Sequence, residues 1–519
     1  MKFHIVPNQR RVPSEGRNIA YLLTDNWDDW FEFSTLYILT YYDVDGEKHV
    51  LGGVKIGQFD MDETQRRPHI PEEFESLDSH FFSLGQDVDY YESARKLGSG
   101  TSEVLLKALN DVVAHDDIYV RARNERVMGM SLMRSVSERT LVGQFRRVLG
   151  GGVRLTSYAF RYYGPKQFEP TFEPVEMSFS VEPFSKPPTN IQVIIGRNGV
   201  GKSFLLNAMS RALVNPDESA DDNGRFIVDN IFDDEFESPF SNIVSVTFSA
   251  FDDFPVIRGS RNTLKGVPYT NVGLRKLKRV SGEKDKHKFN TVTQDPNELT
   301  SDFIESAKVC SRGERRDRWL RALHSLESDP IFEEAAVADL LKSEPQRFGQ
   351  QAGQLFRRLS SGHKIVLLTI TKLVEKVEER TLVLMDEPEA HLHPPLLAAF
   401  IRALSDLLIN RNGVAIIATH SPVVLQEVPR SCAWKVRRHG GKAIAERLRI
   451  ETFAEHVGHL TSEVFGLEVT QSGFHKMIAD EVEAGDDFDT VSGKFSGEVG
   501  SEGRALISAF LAMIVKGEN

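Results

Sequence analysis

The chain has 519 residues, 40% of them hydrophobic, and a formal net charge of −12. That length supports two or three domains with cores of their own, and the acidic balance argues against a protein that coats nucleic acid with its whole surface. Two cysteines exclude a disulfide framework; with no apolar leader and no run near the roughly 20 apolar residues that span a bilayer, a cytoplasmic protein without membrane contact is expected.

Two β-rich runs within residues 30–58 flank Asp45-Gly46, which predicts a hairpin because a tight turn tolerates Asp-Gly at positive φ. RRPHIPEEF (66–74) reads as a connection. Apolar spacings of three and four make about 89–149 helical, until Gly150, Gly151 and Gly152 break the pattern. Residues 1–150 are therefore expected to form a separate α/β module, and no catalytic constellation is visible in it. A second β-rich region opens at VRLTSYAFRYY (153–163) and leads through IQVII to GRNGVGKS (196–203) and a helix. A β-run at 242–254 follows, then a polar, loop-rich stretch at 258–303 and helical segments to about 380. TLVLMDEPEAHLHPP (381–395) precedes an amphipathic helix at 396–410 and a buried strand, GVAIIATHSP, at 413–422. Near-continuous aliphatic strands separated by helices predict a parallel α/β core over 151–450, with a polar and helical insertion at about 255–350. Residues 451–519 read as an acidic, mostly helical appendage. Two basic stretches, at 274–288 and 312–321, read as a solvated loop and a salt-bridged helix face, with a local nucleic-acid contact as the sharper alternative.

GRNGVGKS matches G-x-x-x-x-G-K-[S/T] between a strand and a helix, the context that defines a P-loop. Gly196, Gly199 and Gly201, with Asn198 between them, let backbone N–H groups converge on phosphate oxygens at a helix N-terminus. Lys202 is expected to bridge the β- and γ-phosphates of ATP and Ser203 to hold Mg²⁺, with Phe204 opening the helix behind them. Such a P-loop needs a second strand ending in a carboxylate. TLVLMDE supplies Asp386 for the metal and Glu387 as the base or orienter for the attacking water. His391 and His393 could be zinc ligands, but no Cys or His pair of matching spacing completes the set, so a turn-stabilising or interface role is the better reading. In RLSSGHK (358–364), Ser360, Ser361 and Gly362 resemble an ABC signature motif, with His363 where Gln is common; a plain helix cap is the bland alternative. His420 in ATHSP resembles a switch histidine that contacts the γ-phosphate.

The order P-loop, signature, acidic strand, histidine resembles that of ABC-type ATPases, and D-E-P-E-A-H-L-H-P is similar to the acidic-strand region of the RecF, OLD and SMC-like members. LSSGHKIVLLTIT (359–371), SAFDDF (249–254), FAEHVGHLTSEVFGLE (453–468) and DVDYYESARKLG (87–98) look closest to the PtuA-type ATPases of Septu and retron-associated antiphage systems. The resemblance implies an ATP sandwich between two copies of the chain, each ATP held by one P-loop and by Ser360 and Gly362 of the other copy. It also implies a partner HNH-type nuclease, and in a retron setting a reverse transcriptase with its RNA–DNA product. The alternatives are a RecF-like repair ATPase that acts on DNA without a nuclease, and a scaffold that keeps ATP as structural glue. The chain departs from the pattern at the Q-loop glutamine, where Ser249 and Asp252 stand, and in its adenine-stacking residue, for which Tyr158, Phe160, Tyr162 and Tyr163 all compete. DDFD (486–489), with Asp487 and Asp489, lacks the apolar strand a TOPRIM nuclease needs and reads as a solvated loop.

Overall fold

The computed structural model describes residues 1–25, 33–61, 65–138, 140–151, 155–167, 172–228, 238–247, 257, 267–279, 289–440, 442–466, 473–482 and 486–516. Its first sheet has six strands: β1 (Lys2–Val6), β2 (Ile19–Thr24), β3 (Leu36–Tyr42), β4 (Lys48–Gln58), β5 (Glu73–Phe74) and β6 (Phe81–Gly85). They lie in the order β5-β1-β2-β3-β4-β6, parallel at β1–β2 and antiparallel elsewhere. Asp45 and Gly46 sit in the turn between β3 and β4, with Gly46 at φ 86°, where a side chain would be strained. Helices Val88–Lys96 and Ser99–Ala108 follow, and one hydrophobic core runs from Phe3 to Val148.

Strands β7 (Tyr158–Tyr163), β8 (Glu176–Val181) and β10 (Arg225–Val228) make a small antiparallel sheet in the order β10-β7-β8. The main sheet holds β9 (Ile191–Ile195), β11 (Asn242–Thr247), β12 (Tyr269–Gly273), β15 (Thr381–Asp386), β16 (Val414–Thr419), β17 (Ala433–His439) and β18 (Lys442–Arg447). Its order is β12-β11-β15-β16-β9-β17-β18, parallel throughout except at β17–β18. Every residue of β9, β15 and β16 is buried, which explains their near-continuous aliphatic runs: helices cover both faces. The period of two sorts their side chains. Ile191, Val193, Val383 and Met385 face the layer of Ser361–Lys376 and Pro394–Ile409, whereas Ile194, Leu382 and Leu384 face the helix Lys202–Val214.

The stretch expected to be loop-rich differs from that expectation. Its described part holds β12 and an antiparallel hairpin of β13 (Arg275–Arg279) with β14 (Phe289–Thr293), and a helix begins at Pro296 under a capping box of Asp295 and Glu298. Residues 280–288 of the first basic stretch lie outside the described residues. The helices Pro296–Cys310, Gly313–Leu326 and Pro345–Arg358 do not form a satellite, because Phe303, Trp319 and Phe356 enter the core under the main sheet. Nor is the second basic stretch a wholly solvated face: Trp319 is fully buried and the Arg318 side chain is only 11% exposed.

Arg318 is buried because it reaches the N-terminal module. Asp87, the N-cap of Val88–Lys96, forms a buried ion pair with Arg411 and lies 4.0 Å from Arg318. Arg147 Nη2 meets Glu379 Oε1 at 2.7 Å, and the backbone N–H of Ser137 donates to Glu378 Oε2 at 3.0 Å. Glu378, Glu379 and Arg411 stand just before β15 and β16, so the module grips the end of the sheet at which those strands begin. In the tail, Val457–Phe465 packs on the main core through Leu460 and Val464, while Ile478, Val491 and Ile507 form a small core of their own. Asp487 is a helix N-cap, accepting from Thr490 N at 2.8 Å, and Asp489 lies in the first turn of Phe488–Lys494; the expected solvated loop is the start of a short helix. Among the described residues, no helix is long and apolar enough to cross a membrane.

Candidate functional site

Parallel strands bring their carboxyl ends to one edge, and loops leaving that edge build the site. β9 ends at Ile195 and turns into the P-loop, β15 ends at Asp386, and β16 ends one residue before His420. β16 separates the P-loop strand from the acidic strand, so all three motifs meet around one hollow.

The loop demands its glycines. A Cβ on Gly196 would stand 2.3 Å from the carbonyl oxygen of Val436, and Gly199 and Gly201 have φ of 80° and 100°. Gly201 caps Lys202–Val214 without any side-chain bond, leaving the first N–H groups of that helix to the ligand side. Lys202 is buried, and its Nζ donates to the carbonyls of Gly196 and Arg197 at 3.0 Å each. Its third partner is Glu387, with Oε1 at 3.7 Å. Asn198, Gly199 and Phe204 are exposed and Ser203 is half-buried at the mouth of the loop. Converging N–H groups, a buried lysine and clear space at Gly199 and Gly201 fit the triphosphate of ATP.

Asp386 is the buried last residue of β15, and Glu387 is held in the left-handed region at φ 43°, ψ 59°. A non-glycine residue there costs on the order of 1–3 kcal/mol, a strain met mostly at functional positions. The Glu387 N–H, donating to the carbonyl of Ala418 at 2.9 Å, pins the turn to β16. His420 Nδ1 lies 3.4 Å from Glu387 Oε1 and 3.1 Å from Glu389 Oε1. Glu389 Oε1 also accepts from Thr419 Oγ1 at 2.6 Å and from the backbone N–H of His420 at 2.8 Å. Glu389 therefore fixes the backbone of His420, a role the sequence reading did not give it. Its signal was present in D-E-P-E, a second carboxylate on the short turn Pro388–His391 that follows the strand.

Ser360 and Ser361 are exposed at the start of helix Ser361–Lys376, and Ser360 bonds to His363 rather than to the Lys202–Glu387–His420 cluster. Gly362 is pressed against the acidic-strand loop: a Cβ there would sit 2.5 Å from the carbonyl of His391. The structure separates the two histidines of H-x-H. His391 is exposed at the end of its turn, whereas His393 caps Pro394–Ile409 and approaches Asp329 Oδ2 at 3.5 Å. Asp329, His363 and His393 bring their ligand atoms within 4.8 Å of one another, a grouping that spacing alone did not reveal.

Of the four aromatics considered for adenine, Tyr158, Phe160 and Tyr162 are buried at 2% exposure or less and belong to the core. Tyr163 alone points out of that layer, beside Arg161 and Arg225. Ser249 and Asp252, the Q-loop positions, lie outside the described residues.

The strand order together with these motifs defines a P-loop ATPase of the ABC type, the class that includes the SMC-like heads. A family model described as AAA domain, putative AbiEii toxin, Type IV TA system, matches residues 286–426. The chain belongs to the family of protein ea59 of Escherichia phage lambda, to which it is 39% identical over 533 residues covering 98% of each chain. Among solved structures, MJ1267, an ATP-binding cassette of an ABC transporter in its ADP conformation, is 19% identical, with 61% of this chain and 100% of that chain covered at a TM-score of 0.31. The SMC head domain from Thermotoga maritima is 12% identical, covering 57% and 100%, at a TM-score of 0.27.

Proposed function

We propose that the chain is an ATP-hydrolysing switch that pairs with a second copy of itself and gates a bound nuclease. The carrying observation is the cluster of Lys202, Glu387, His420 and Glu389 at one sheet edge, with Glu387 in a strained backbone conformation. Lys202 and the P-loop N–H groups would hold the phosphates. Ser203 and Asp386 would hold Mg²⁺, whose charge eases attack on the γ-phosphate. Glu387 would take the proton of the attacking water, and His420, steadied by Glu389, would contact the γ-phosphate. Ser360 and Ser361 are exposed and make no bond to the Lys202–Glu387–His420 cluster, which supports their use on ATP bound to the other copy.

Two links support nucleotide state as the signal. Arg197 of the P-loop reaches the carbonyl of Phe465 in the tail at 3.5 Å, and the N-terminal module is bolted to the start of β15 and β16. Resemblance to PtuA-type ATPases supports an HNH-type nuclease as the gated partner, joined by a reverse transcriptase in a retron setting. The full-length phage relative supports a phage-linked role. Glu387→Gln with ATP and Mg²⁺ tests the reading by light scattering and copurification. A stable ATP-dependent dimer holding a stoichiometric nuclease is expected; a monomer that still turns over ATP would overturn it.

A further inference from the structure

Behind the signature serine runs a buried chain of polar side chains. Ser360 Oγ lies 2.6 Å from His363 Nδ1, and His363 Nε2 lies 3.0 Å from Asp329 Oδ1. His363 is 3% exposed and Asp329 is 6% exposed, so neither is a surface accident. The same Asp329 oxygen accepts from the backbone N–H of Ile331 and Phe332 at 3.0 and 3.3 Å as N-cap of helix Pro330–Ala335. The order serine, imidazole, carboxylate on a fixed helix end is that of a residue held in one orientation by two others.

We propose that Asp329 and His363 are positioning residues that set the direction of the Ser360 hydroxyl for the γ-phosphate of ATP on the other copy. The inference rests on the ATP-sandwich reading. Asp329 is a carboxylate: burial opposes its charge, but the hydrogen bonds from His363, Ile331 and Phe332 hold the carboxyl below its usual range. His363 Nε2 therefore carries a hydrogen. In the neutral ring Nδ1 is then bare, and it draws the Ser360 hydroxyl hydrogen inward. In the imidazolium both nitrogens donate, Ser360 Oγ accepts from Nδ1–H, and its own hydrogen is released outward to a phosphate oxygen. The half-exposed His393 holds its ring 6.2 Å from that of His363, and the Phe332 ring packs against His363 at 5.0 Å.

The same three side chains could hold a divalent cation. The hydrogen bonds favour the relay. His393 Nδ1 accepts from the N–H of Leu396 at 3.4 Å, which puts the neutral ring's hydrogen on Nε2, the atom turned to Asp329.

The test compares Ser360→Ala, His363→Ala, His363→Gln and Asp329→Asn in the full chain, reading binding of a fluorescent ATP analogue, KM and kcat. Asn keeps the helix cap of Asp329 and removes its charge. His363→Ala is expected to bind the nucleotide as the parent does and to lose kcat about tenfold or more, the loss of one hydrogen bond to a charged group, with KM little changed. Gln, which restores a donor to Ser360, is expected to recover part of the loss. Asp329→Asn is expected to lose kcat as His363→Ala does, with nucleotide binding kept; a kcat equal to the parent's would reduce Asp329 to a cap and overturn the proposal. Loss of turnover to 1,10-phenanthroline at saturating Mg²⁺, restored by Zn²⁺, would overturn it in favour of a metal centre. If Ser360→Ala is itself silent, the ATP-sandwich reading has failed; if only the His363 and Asp329 variants are silent, the relay has failed and the sandwich stands.

Discussion

Glu389 Oε1 accepts the backbone N–H of His420 at 2.8 Å and stands 3.1 Å from that residue's Nδ1, to which it makes no hydrogen bond. Glu389→Gln keeps an acceptor for the backbone and for Thr419 but removes the charge beside the ring. Turnover should fall about tenfold, with nucleotide affinity retained, because the bonds from Thr419 Oγ1 and the His420 N–H lose a charged acceptor, and a hydrogen bond to a charged group is worth about 1.5–3 kcal/mol. Phosphate release set beside equilibrium binding checks this; a parallel loss of affinity would mean that Glu389 holds the pocket rather than the histidine.

Lys202→Ala should abolish ATP binding, since it removes the buried ammonium inside the loop and leaves two inward carbonyls, Gly196 and Arg197, without their donor. Isothermal titration with ATP and Mg²⁺ reads this directly. Retained micromolar affinity would move phosphate recognition onto the backbone N–H groups alone.

Asp87→Ala should destabilise the contact between the N-terminal module and the ATPase core by about 3–5 kcal/mol, because it strands two buried guanidinium groups. Burial resists the charge on Asp87, but Arg411 and then Arg318 outweigh it and pull the carboxyl well below its usual value. The two arginines answer differently. Burial opposes the Arg411 charge, but Asp87 outweighs it and raises that group, whereas burial and Arg411 push Arg318 down to about 9, so the pair is Asp87 with Arg411 and Arg318 is the lesser partner. With a depressed folded value, the contribution of Asp87 is present above about pH 4 and is lost as pH falls toward that value. Thermal unfolding should show residues 1–150 released earlier in Asp87→Ala, and Asp87→Leu with Arg411→Met should be milder than Asp87→Ala alone.

Asp111 reverses that sign. Fully buried, and with hydrogen bonds from Val113, Ala114 and Tyr91 only partly offsetting the burial, its carboxyl is pushed up to about 7. The group is protonated in the fold where it would ionise in the open chain. Its contribution is complete below about pH 4 and disappears as pH rises through about 7. Asp111→Asn should flatten that slope in urea unfolding of the N-terminal module across pH 4–8; an unchanged slope would place the titration elsewhere.

The motifs that bind phosphate were legible because backbone geometry dictates them. Gly196 has a carbonyl where its Cβ would be, and no other residue type fits. The strands TLVLMD and VAIIAT were legible for a related reason, since a strand covered on both faces carries a near-continuous aliphatic run, here residues 382–385 and 414–418. Charge was not legible in this way. Arg318 in GERRDRWLR looks like any solvated helix residue until a carboxylate from another module arrives, and Asp87 and Arg411 are 324 positions apart. The same holds for Asp329 and His363, separated by 34 residues. Aromatics at 158–163 carried more information than was drawn from them. Their alternation puts Tyr158, Phe160 and Tyr162 on one face, which period two alone marks as inward.

The grip of the N-terminal module on the beginnings of β15 and β16 has a mechanical meaning. Those strands are six residues each, about 20 Å of stiff, doubly covered backbone, with the ATP chemistry at the far end. A partner docked on residues 1–150 would never meet the phosphate. It would feel only the tilt of two rods, pulled at Glu387 and His420 and read at Glu379 and Arg411. Mutations that disconnect hydrolysis from output should therefore collect in the short segments 377–380 and 410–412, far from either active surface.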